Sequence, residues 1–237
     1  GITKGDEVIT TGHTFSSTFD QIVAVGATPV LVDIDPETGL IDPALVTQAI
    51  TPKTKAIVPV HLEGKVCDVR KLKKFGLPIV EDAAQAIGGR YPTKMLSGDA
   101  DGVWDAPEHW DRAGGIGDLG CFSLYWAKIF GTFGNLGMVT TNDDELAYKV
   151  SNLRANYRFE KDPEKVEYGY NDEPDNVWAG ILNVRKKYLP EYLNRREEIA
   201  HTYLKELQVL EDRGLIKLPW NQPGRVWQDF VIRINSP

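Results

Sequence analysis

The chain has 237 residues, a net charge of −7 at pH 7 and an isoelectric point near 5.2. This acidic balance argues against nucleic acid and acidic lipid surfaces as partners, because both attract basic proteins. No apolar run reaches the length of a membrane span and no signal peptide is visible, so we expect no membrane partner. The two cysteines, Cys67 and Cys121, are too few for a disulfide framework or a zinc site, and they fit a reducing cytoplasm.

The first third of the chain alternates short β-branched runs with helical patterns. Strands are predicted at Glu7–Thr10, Thr28–Asp33, Thr54–Val60 and Leu77–Glu81, and helices at Ser17–Val25, Asp42–Ile50 and Asp68–Phe75. Such a rhythm, with near-continuous apolar strands, predicts an α/β protein with a mostly parallel sheet between helices. Ligands of these sheets bind beyond the carboxyl ends of the strands.

The rest of the chain is less regular. We predict an exposed acidic loop over residues 93–114. Its Asp99 and Asp101 resemble the start of a calcium loop, but the later ligands are missing, so no metal site is expected. The elements that follow are strands Leu119–Tyr125 and Gly137–Thr141, helix Asp143–Asn156, a polar stretch Tyr157–Asp175, a helical pattern Asn176–Asp212 with a break at Pro190, and strands Leu215–Leu218 and Val226–Ile234.

These patterns predict three parts of the chain. Residues 1–175 form a large domain, residues 176–213 a long connecting helix, and residues 214–237 the start of a small C-terminal domain. Because strand patterns lie close to both ends, we expect the chain to be the central portion of a longer protein.

Two ionisable residues follow buried strand patterns. The aromatic run from Gly120 ends at Lys128, and the run from Leu77 ends at Asp82. Lys128 is either a surface charge that extends to water or a nucleophile for Schiff-base chemistry. Asp82 is either the N-cap of a following helix or the counter-ion of a buried cation. Both residues lie where a parallel sheet binds its ligands.

Other catalytic motifs are excluded by their context. The string Gly115-Ile-Gly117-Asp-Leu-Gly120 matches a dinucleotide fingerprint, but it follows a loop and leads into a strand, which is the reverse of the required order. No G-x-S-x-G elbow indicates a serine hydrolase. His61, at the end of a predicted strand, either packs as a structural residue or lines the site.

Several ordered motifs resemble the DegT/DnrJ/EryC1/StrS family of sugar aminotransferases. They include Gly5-Asp-Glu-Val-Ile9, Val32-Asp-Ile-Asp-Pro36, Val80-Glu-Asp-Ala-Ala-Gln-Ala86, Gly117-Asp-Leu-Gly-Cys-Phe-Ser-Leu-Tyr-Trp-Ala-Lys128 and Gly137-Met-Val-Thr-Thr-Asn142. The matches cover most of residues 5–156. The resemblance implies the aspartate-aminotransferase-like fold, fold type I of the enzymes that use pyridoxal 5′-phosphate (PLP).

The resemblance also implies roles for six residues. Lys128 matches the Schiff-base lysine, Asp82 the partner of the pyridine nitrogen, Gln85 the contact of the phenolic oxygen, Ser123 a phosphate ligand, Phe15 the aromatic that stacks on the ring, and Asn171 a residue that reaches the phosphate held by the partner subunit. It implies a homodimer with shared sites, a nucleotide-linked keto-sugar as substrate and glutamate as amino donor. The family's dehydratases have histidine in place of the lysine, so Lys128 favours transamination.

The chain departs from the family pattern at several positions. Trp126-Ala127 replaces Pro-Thr before the lysine, Glu173 replaces an arginine, and Gln228 replaces an expected histidine. The loop at 93–114 is longer than the family's connection, and the family's phosphate-binding Ser-Gly-Thr segment lies upstream of residue 1. These departures leave two alternatives open. One is a non-catalytic, regulatory member that binds PLP, and the other is a domain without cofactor.

Overall fold

The computed structural model describes residues 1–92, 109–166 and 168–234. In chain order its strands are β1 (Glu7–Thr11), β2 (Thr28–Val32), β3 (Thr54–Ile57), β4 (Val80–Asp82), β5 (Arg90–Pro92), β6 (Trp110–Arg112), β7 (Leu119–Ser123), β8 (Gly137–Thr140), β9 (Ile216–Lys217) and β10 (Arg233–Ile234). Its α-helices are α1 (Ser17–Ala24), α2 (Pro43–Ala49), α3 (Val69–Lys73), α4 (Asp144–Arg154), α5 (Asn176–Arg185) and α6 (Leu189–Asp212).

The main sheet is mostly parallel, as predicted. Strand β1 lies between β2 and β3, and β7 lies between β4 and β8. Single parallel bridges from Ile57 to Ile79 and from Val60 to Asp82 join the two halves, which gives the order β2-β1-β3-β4-β7-β8. Strand β8 runs antiparallel to β7. The carboxyl ends of β4 and β7 therefore lie side by side, with Asp82 opposite Cys121.

Apolar side chains of the central strands build the core. Ile9, Ile57 and Ile79 are fully buried and pack with Val46 of α2 and Leu72 of α3. Burying each such side chain contributes about 1.5–3 kcal/mol. The prediction for α2 is confirmed, because the Asp42 side chain caps the helix at the N–H of Ala44 and a proline follows in the first turn.

Two of the predicted elements near the end of the chain differ in the structure. The helical pattern at 176–212 forms two α-helices, α5 and α6, which are joined by a 3-10 turn at Lys186–Tyr188. The predicted break is present at Lys186–Tyr188, and Pro190 follows it in the first turn of α6, where a missing N–H costs nothing. The last strand is confined to Arg233–Ile234, which pairs antiparallel with β9. The division into domains stays a prediction.

The predicted loop at 93–114 is wrong at its end. Residues 110–112 form β6, which pairs antiparallel with β5, and Arg90 stacks over the Trp110 ring at 5.0 Å. Residues 93–108, with the predicted calcium-like motif, lie outside the described residues.

Two glycines allow a paired test of the packing. A Cβ on Gly120 in β7 would overlap the backbone of Gly114, whereas a Cβ on Gly180 in α5 would meet no atom within 4 Å. We expect Gly120→Ala to destabilise the fold by about 2 kcal/mol or more, and Gly180→Ala to stabilise it by about 0.5–1 kcal/mol. Urea unfolding of both variants measures the two changes. Equal effects would contradict the close approach at Gly120.

Candidate active site

An open cleft of about 1650 Å³ lies beyond the carboxyl ends of β4 and β7. Its wall includes all the residues that the sequence predicted for the site: Phe15, Asp82, Gln85, Ser123, Lys128 and Asn171. They come from four separate segments of the chain, and Asp82 and Ser123 are the last residues of their strands. The fold thus brings the predicted residues to one place.

Asp82 is held by a short chain of hydrogen bonds. Its Oδ2 accepts the Thr18 hydroxyl at 2.7 Å, and Thr18 in turn contacts the Thr14 hydroxyl at 2.8 Å. Its Oδ1 accepts the N–H of Ala84 at 3.1 Å. No helix begins at the residues after Asp82, so the alternative of a helix N-cap is wrong. The carboxylate is half-buried and keeps one side toward the cleft.

Lys128 lies in a turn rather than on the strand. Strand β7 ends at Ser123, two residues earlier than predicted, and the N–H of Lys128 donates to the carbonyl of Tyr125 at 2.9 Å. The side chain is half-buried in the cleft wall. Its amine makes no hydrogen bond or ion pair with the part of the chain that the structure describes. A half-buried amine without a carboxylate partner suits covalent chemistry better than a surface ion pair.

Gln85 is fixed at both ends of its amide. Its Oε1 accepts the N–H of Glu63 at 2.7 Å, and its Nε2 donates to Asp229 Oδ2 at 3.3 Å. Glu63 has a left-handed backbone with φ of 57°, a strained conformation for this residue type. Its carbonyl accepts from the Arg225 guanidinium at 2.9 Å. The orientation of Gln85 toward the cleft is therefore set before any ligand binds.

The outer part of the cleft is more open. Phe15 is 77% exposed, which leaves its ring free to stack on a ligand. Asn171 pairs with Ala155 at the end of α4, so this residue reaches the cleft from the far wall. Two residues after Asn171, Glu173 pairs with Arg158 at 2.7 Å and with Arg154 at 3.9 Å. The charge reversal expected at Glu173 is thus compensated by two arginines.

His61 is a structural residue. It is fully buried, its Nδ1 accepts the N–H of Cys67 at 3.0 Å, and its Nε2 lies 2.7 Å from Glu81 Oε2. Because Nδ1 accepts a hydrogen, the ring proton is on Nε2 and is donated to Glu81. His61 is thus packed and hydrogen-bonded, and it also borders the wall of the cleft.

Glu81 is a buried carboxylate that the sequence analysis missed. Besides His61, its oxygens accept the N–H groups of Gly114 at 2.9 Å, Ile116 at 2.7 Å and Gly117 at 2.5 Å. Burial raises the pKa of Glu81, but the interaction with His61 and the N–H groups of Gly117 and Gly114 together lower it by more, so that the net shift is downward. The glycine string that resembled a nucleotide fingerprint therefore wraps an internal carboxylate. The signal in the sequence that could have identified Glu81 is a charged residue within a buried strand.

The thiol of Cys121, across from Asp82, is excluded as a nucleophile. Burial raises the pKa of Cys121 to about 11, and the nearby carboxylates of Asp82 and Glu81 add to the shift. The thiol is therefore protonated at neutral pH.

Comparison with known proteins identifies the class. The model of the DegT/DnrJ/EryC1/StrS aminotransferase family matches residues 1–237, and the chain belongs to this family. It is 40% identical to a "Pleiotropic regulatory protein" of Geobacillus stearothermophilus, over 98% of this chain and 59% of the relative. It is 37% identical to "dTDP-3-amino-3,4,6-trideoxy-alpha-D-glucose transaminase" of Streptomyces venezuelae, over 98% and 58%.

Two further matches are from Bacillus subtilis. The chain is 33% identical to "3-oxo-glucose-6-phosphate:glutamate aminotransferase", over 100% of this chain and 50% of the relative. A crystal structure "with bound cofactor pmp" has a TM-score of 0.84 at 32% identity, and the match covers 99% of this chain and 51% of that one. The fold is therefore that of the PLP-dependent aminotransferases. The chain spans between half and three fifths of the length of these proteins.

The helices were also compared with the requirements of a membrane span. Within residues 1–92, 109–166 and 168–234, none is both long and apolar enough to cross a bilayer.

Proposed function

We propose that the protein is a PLP-dependent aminotransferase that acts on a nucleotide-linked keto-sugar with glutamate as amino donor. The observation that carries the proposal is the presence of the Lys128 amine and the Asp82 carboxylate in the wall of one cleft. The amine has no partner among the described side chains, and the carboxylate is held in place by Thr18.

The side chains that line the cleft fit PLP. When bound, PLP supplies an aldehyde that bonds to amines and a ring that withdraws electrons from the reacting carbon. Lys128 would hold the aldehyde carbon, Asp82 would pair with the ring nitrogen, and Gln85 would contact the phenolic oxygen. Ser123 would bind the phosphate, the exposed Phe15 would cover the ring, and Asn171 would reach the phosphate bound to a second subunit.

Each residue has a task that its contacts support. The negative charge of Asp82 favours a protonated ring nitrogen, and the Thr18 hydroxyl keeps the carboxylate oriented. Nζ of Lys128 would take a proton from one reacting carbon and return it to the next. The Gln85 amide, already held by Glu63 and Asp229, would contact the edge of the ring.

Substrate and assembly are proposed from the relatives and the shape of the cleft. The name of the Streptomyces relative specifies a dTDP-sugar, and that of one Bacillus relative specifies glutamate. Phe15, Trp126 and Phe133 expose 77%, 62% and 74% of their surfaces. Exposed aromatic side chains of this size, of which Phe15 lies in the wall of the cleft, support a homodimer with shared sites. The unpaired thiols of Cys67 and Cys121 support a cytoplasmic location.

Glutamate itself tests the proposal. The expected result is that adding glutamate to the PLP-loaded protein, without a sugar, converts the cofactor to its pyridoxamine form and releases 2-oxoglutarate. Visible absorbance and product analysis follow the two events. No conversion with glutamate or any other amino acid would overturn the assignment as an aminotransferase.

A second candidate is a regulatory member that binds PLP without turnover. The observation in its favour is the similarity to a relative named as a pleiotropic regulatory protein. The same glutamate experiment distinguishes the two functions. Bound PLP that stays unchanged by amino donors would support the regulatory function, whereas protein that binds no PLP would contradict both.

Asp82 provides a more specific test. We expect Asp82→Asn to keep the covalent bond between Lys128 and PLP but to lower turnover by about a hundredfold, because the neutral amide no longer stabilises charge on the ring. Absorbance and steady-state rates measure the two effects. Asp144→Asn, on the exposed surface of α4, is the control. Turnover equal to that of the control would refute the role of Asp82.

A further inference from the structure

The backbone on both sides of Lys128 is held by one distant side chain. Oε1 of Gln228 accepts the N–H of Ile129 at 3.1 Å, and Nε2 of the same amide donates to the carbonyl of Ala127 at 3.3 Å. The amide therefore contacts the residue before and the residue after Lys128. These partners are separated from Gln228 by about a hundred residues of sequence.

Two arginines extend this contact. Arg185, at the end of α5, donates to the carbonyl of Ile129 at 3.3 Å and also to that of Gly131. Arg196 of α6 donates to the carbonyls of Trp227 at 3.0 Å and Gln228 at 3.2 Å, which fixes the backbone that carries the amide. Arg196 thus supports the backbone of Gln228, and Arg185 supports the segment that carries Lys128.

The turn at Lys128 satisfies its own remaining groups. The N–H of Lys128 donates to Tyr125, and the carbonyl of Lys128 accepts from Gly131 at 3.0 Å. Gln228 and Arg185 bind the neighbouring groups, which are the carbonyl of Ala127 and both the N–H and the carbonyl of Ile129. The Lys128 side chain is then the part of the segment left free to move.

We infer that Gln228 is a positioning residue for Lys128, and this inference rests on the proposed function. Its amide offers one donor and one acceptor in one plane, as the pair Ala127 O and Ile129 N requires. Gln228 stands where the family resemblance predicts a histidine. It thereby fixes the backbone from which the Lys128 side chain extends, relative to Asp82 and Ser123.

The fold does not depend on this amide. The neighbouring Val226 and Trp227 are buried and anchor the C-terminal segment, and the N–H of Val226 donates to Gly64 at 3.0 Å. Gln228 itself is half-buried. Loss of its amide should therefore loosen the Lys128 segment more than it destabilises the protein.

The experiment compares Gln228→Met and Gln228→Glu with wild type in the full-length protein. Methionine keeps the length but removes both hydrogen bonds, and glutamate keeps the acceptor but not the donor. We expect amide hydrogen exchange at Ile129 to become about tenfold faster in Gln228→Met. The rate at which Lys128 bonds to PLP, trapped by borohydride and located by mass spectrometry, should fall about ten- to a hundredfold in both variants.

Gln222→Met is the matched control. The Gln222 amide is also bidentate, but it bonds to the N–H and carbonyl of Val66 at 2.7 and 2.8 Å and does not touch the lysine segment. This variant should lower the melting temperature without changing exchange at Ile129 or the rate of PLP bonding. It therefore separates general destabilisation from loss of positioning.

Each result decides the question. Unchanged exchange at Ile129, or faster exchange with an unchanged rate of PLP bonding, would overturn the role of Gln228. If wild-type Lys128 forms no bond with PLP, the proposed function fails. The hydrogen exchange of Ile129 then decides by itself whether Gln228 holds the segment.

Discussion

Replacing Lys128 by alanine should abolish the visible absorbance of bound PLP and lower turnover by at least about a thousandfold. The physical reason is that the amine is both the covalent anchor and the group placed to move the proton, and no other lysine lines the cleft formed by the described residues. Absorbance spectra and transamination rates of the full-length variant measure the two losses.

The control for this variant is Lys74→Ala, at the exposed end of α3. It removes the same positive charge far from the cleft and should leave both signals unchanged. Turnover of Lys128→Ala within about tenfold of wild type would contradict the proposed function.

The second large effect is expected at Glu81. Glu81→Ala leaves the ring N–H of His61 and the backbone N–H groups of Gly114, Ile116 and Gly117 without an acceptor in the core. The expected cost is about 3–5 kcal/mol of unfolding free energy, because removing one member of a buried charged network leaves the other members without a hydrogen-bond partner. Urea unfolding measures the cost, and Glu197→Ala on the exposed face of α6 is the control.

The contribution of Glu81 should also depend on pH. Its pKa in the folded protein is below the ordinary value, so the unfolded state binds the proton more readily. The stabilisation is present above the ordinary carboxyl pKa and is lost as the pH falls through the lower, folded value. The difference between wild type and Glu81→Gln should therefore be largest at neutral pH and shrink below about pH 4. A difference that is constant with pH would show that the charge of Glu81 has no role.

Much of the fold and most of the site could be predicted from local patterns. Apolar runs bounded by turns locate the central strands, and the alternation with helices predicts their parallel direction. Because the carboxyl ends of parallel strands meet at one edge of the sheet, the sequence alone predicts that Asp82 and Lys128 lie close together. The matching motifs supplied Gln85, Ser123 and Phe15.

The remaining features depend on contacts between distant residues. The backbone N–H donors to Glu81 lie 33 to 36 residues later, and no local pattern pairs them with a carboxylate. The amide of Gln228 meets Ile129 only after α5 and α6 have returned the chain. The antiparallel direction of β8 and the turn at Lys186–Tyr188 are also set by packing, since strand and helix patterns are the same in either arrangement.

The contacts of Glu81 have a consequence for how this protein can diverge. The segment 93–108 is flanked by β5 and β6, which pair with each other, and the turn that follows β6 is fastened to Glu81. Both boundaries are thus fixed independently of what lies between them, and extending a closed loop costs only about 0.6 kcal/mol for each doubling of its length. Insertions and deletions can therefore accumulate at this position without displacing Asp82 or Lys128. Residues 93–108 therefore mark a position where new surface could be added while the cleft is kept.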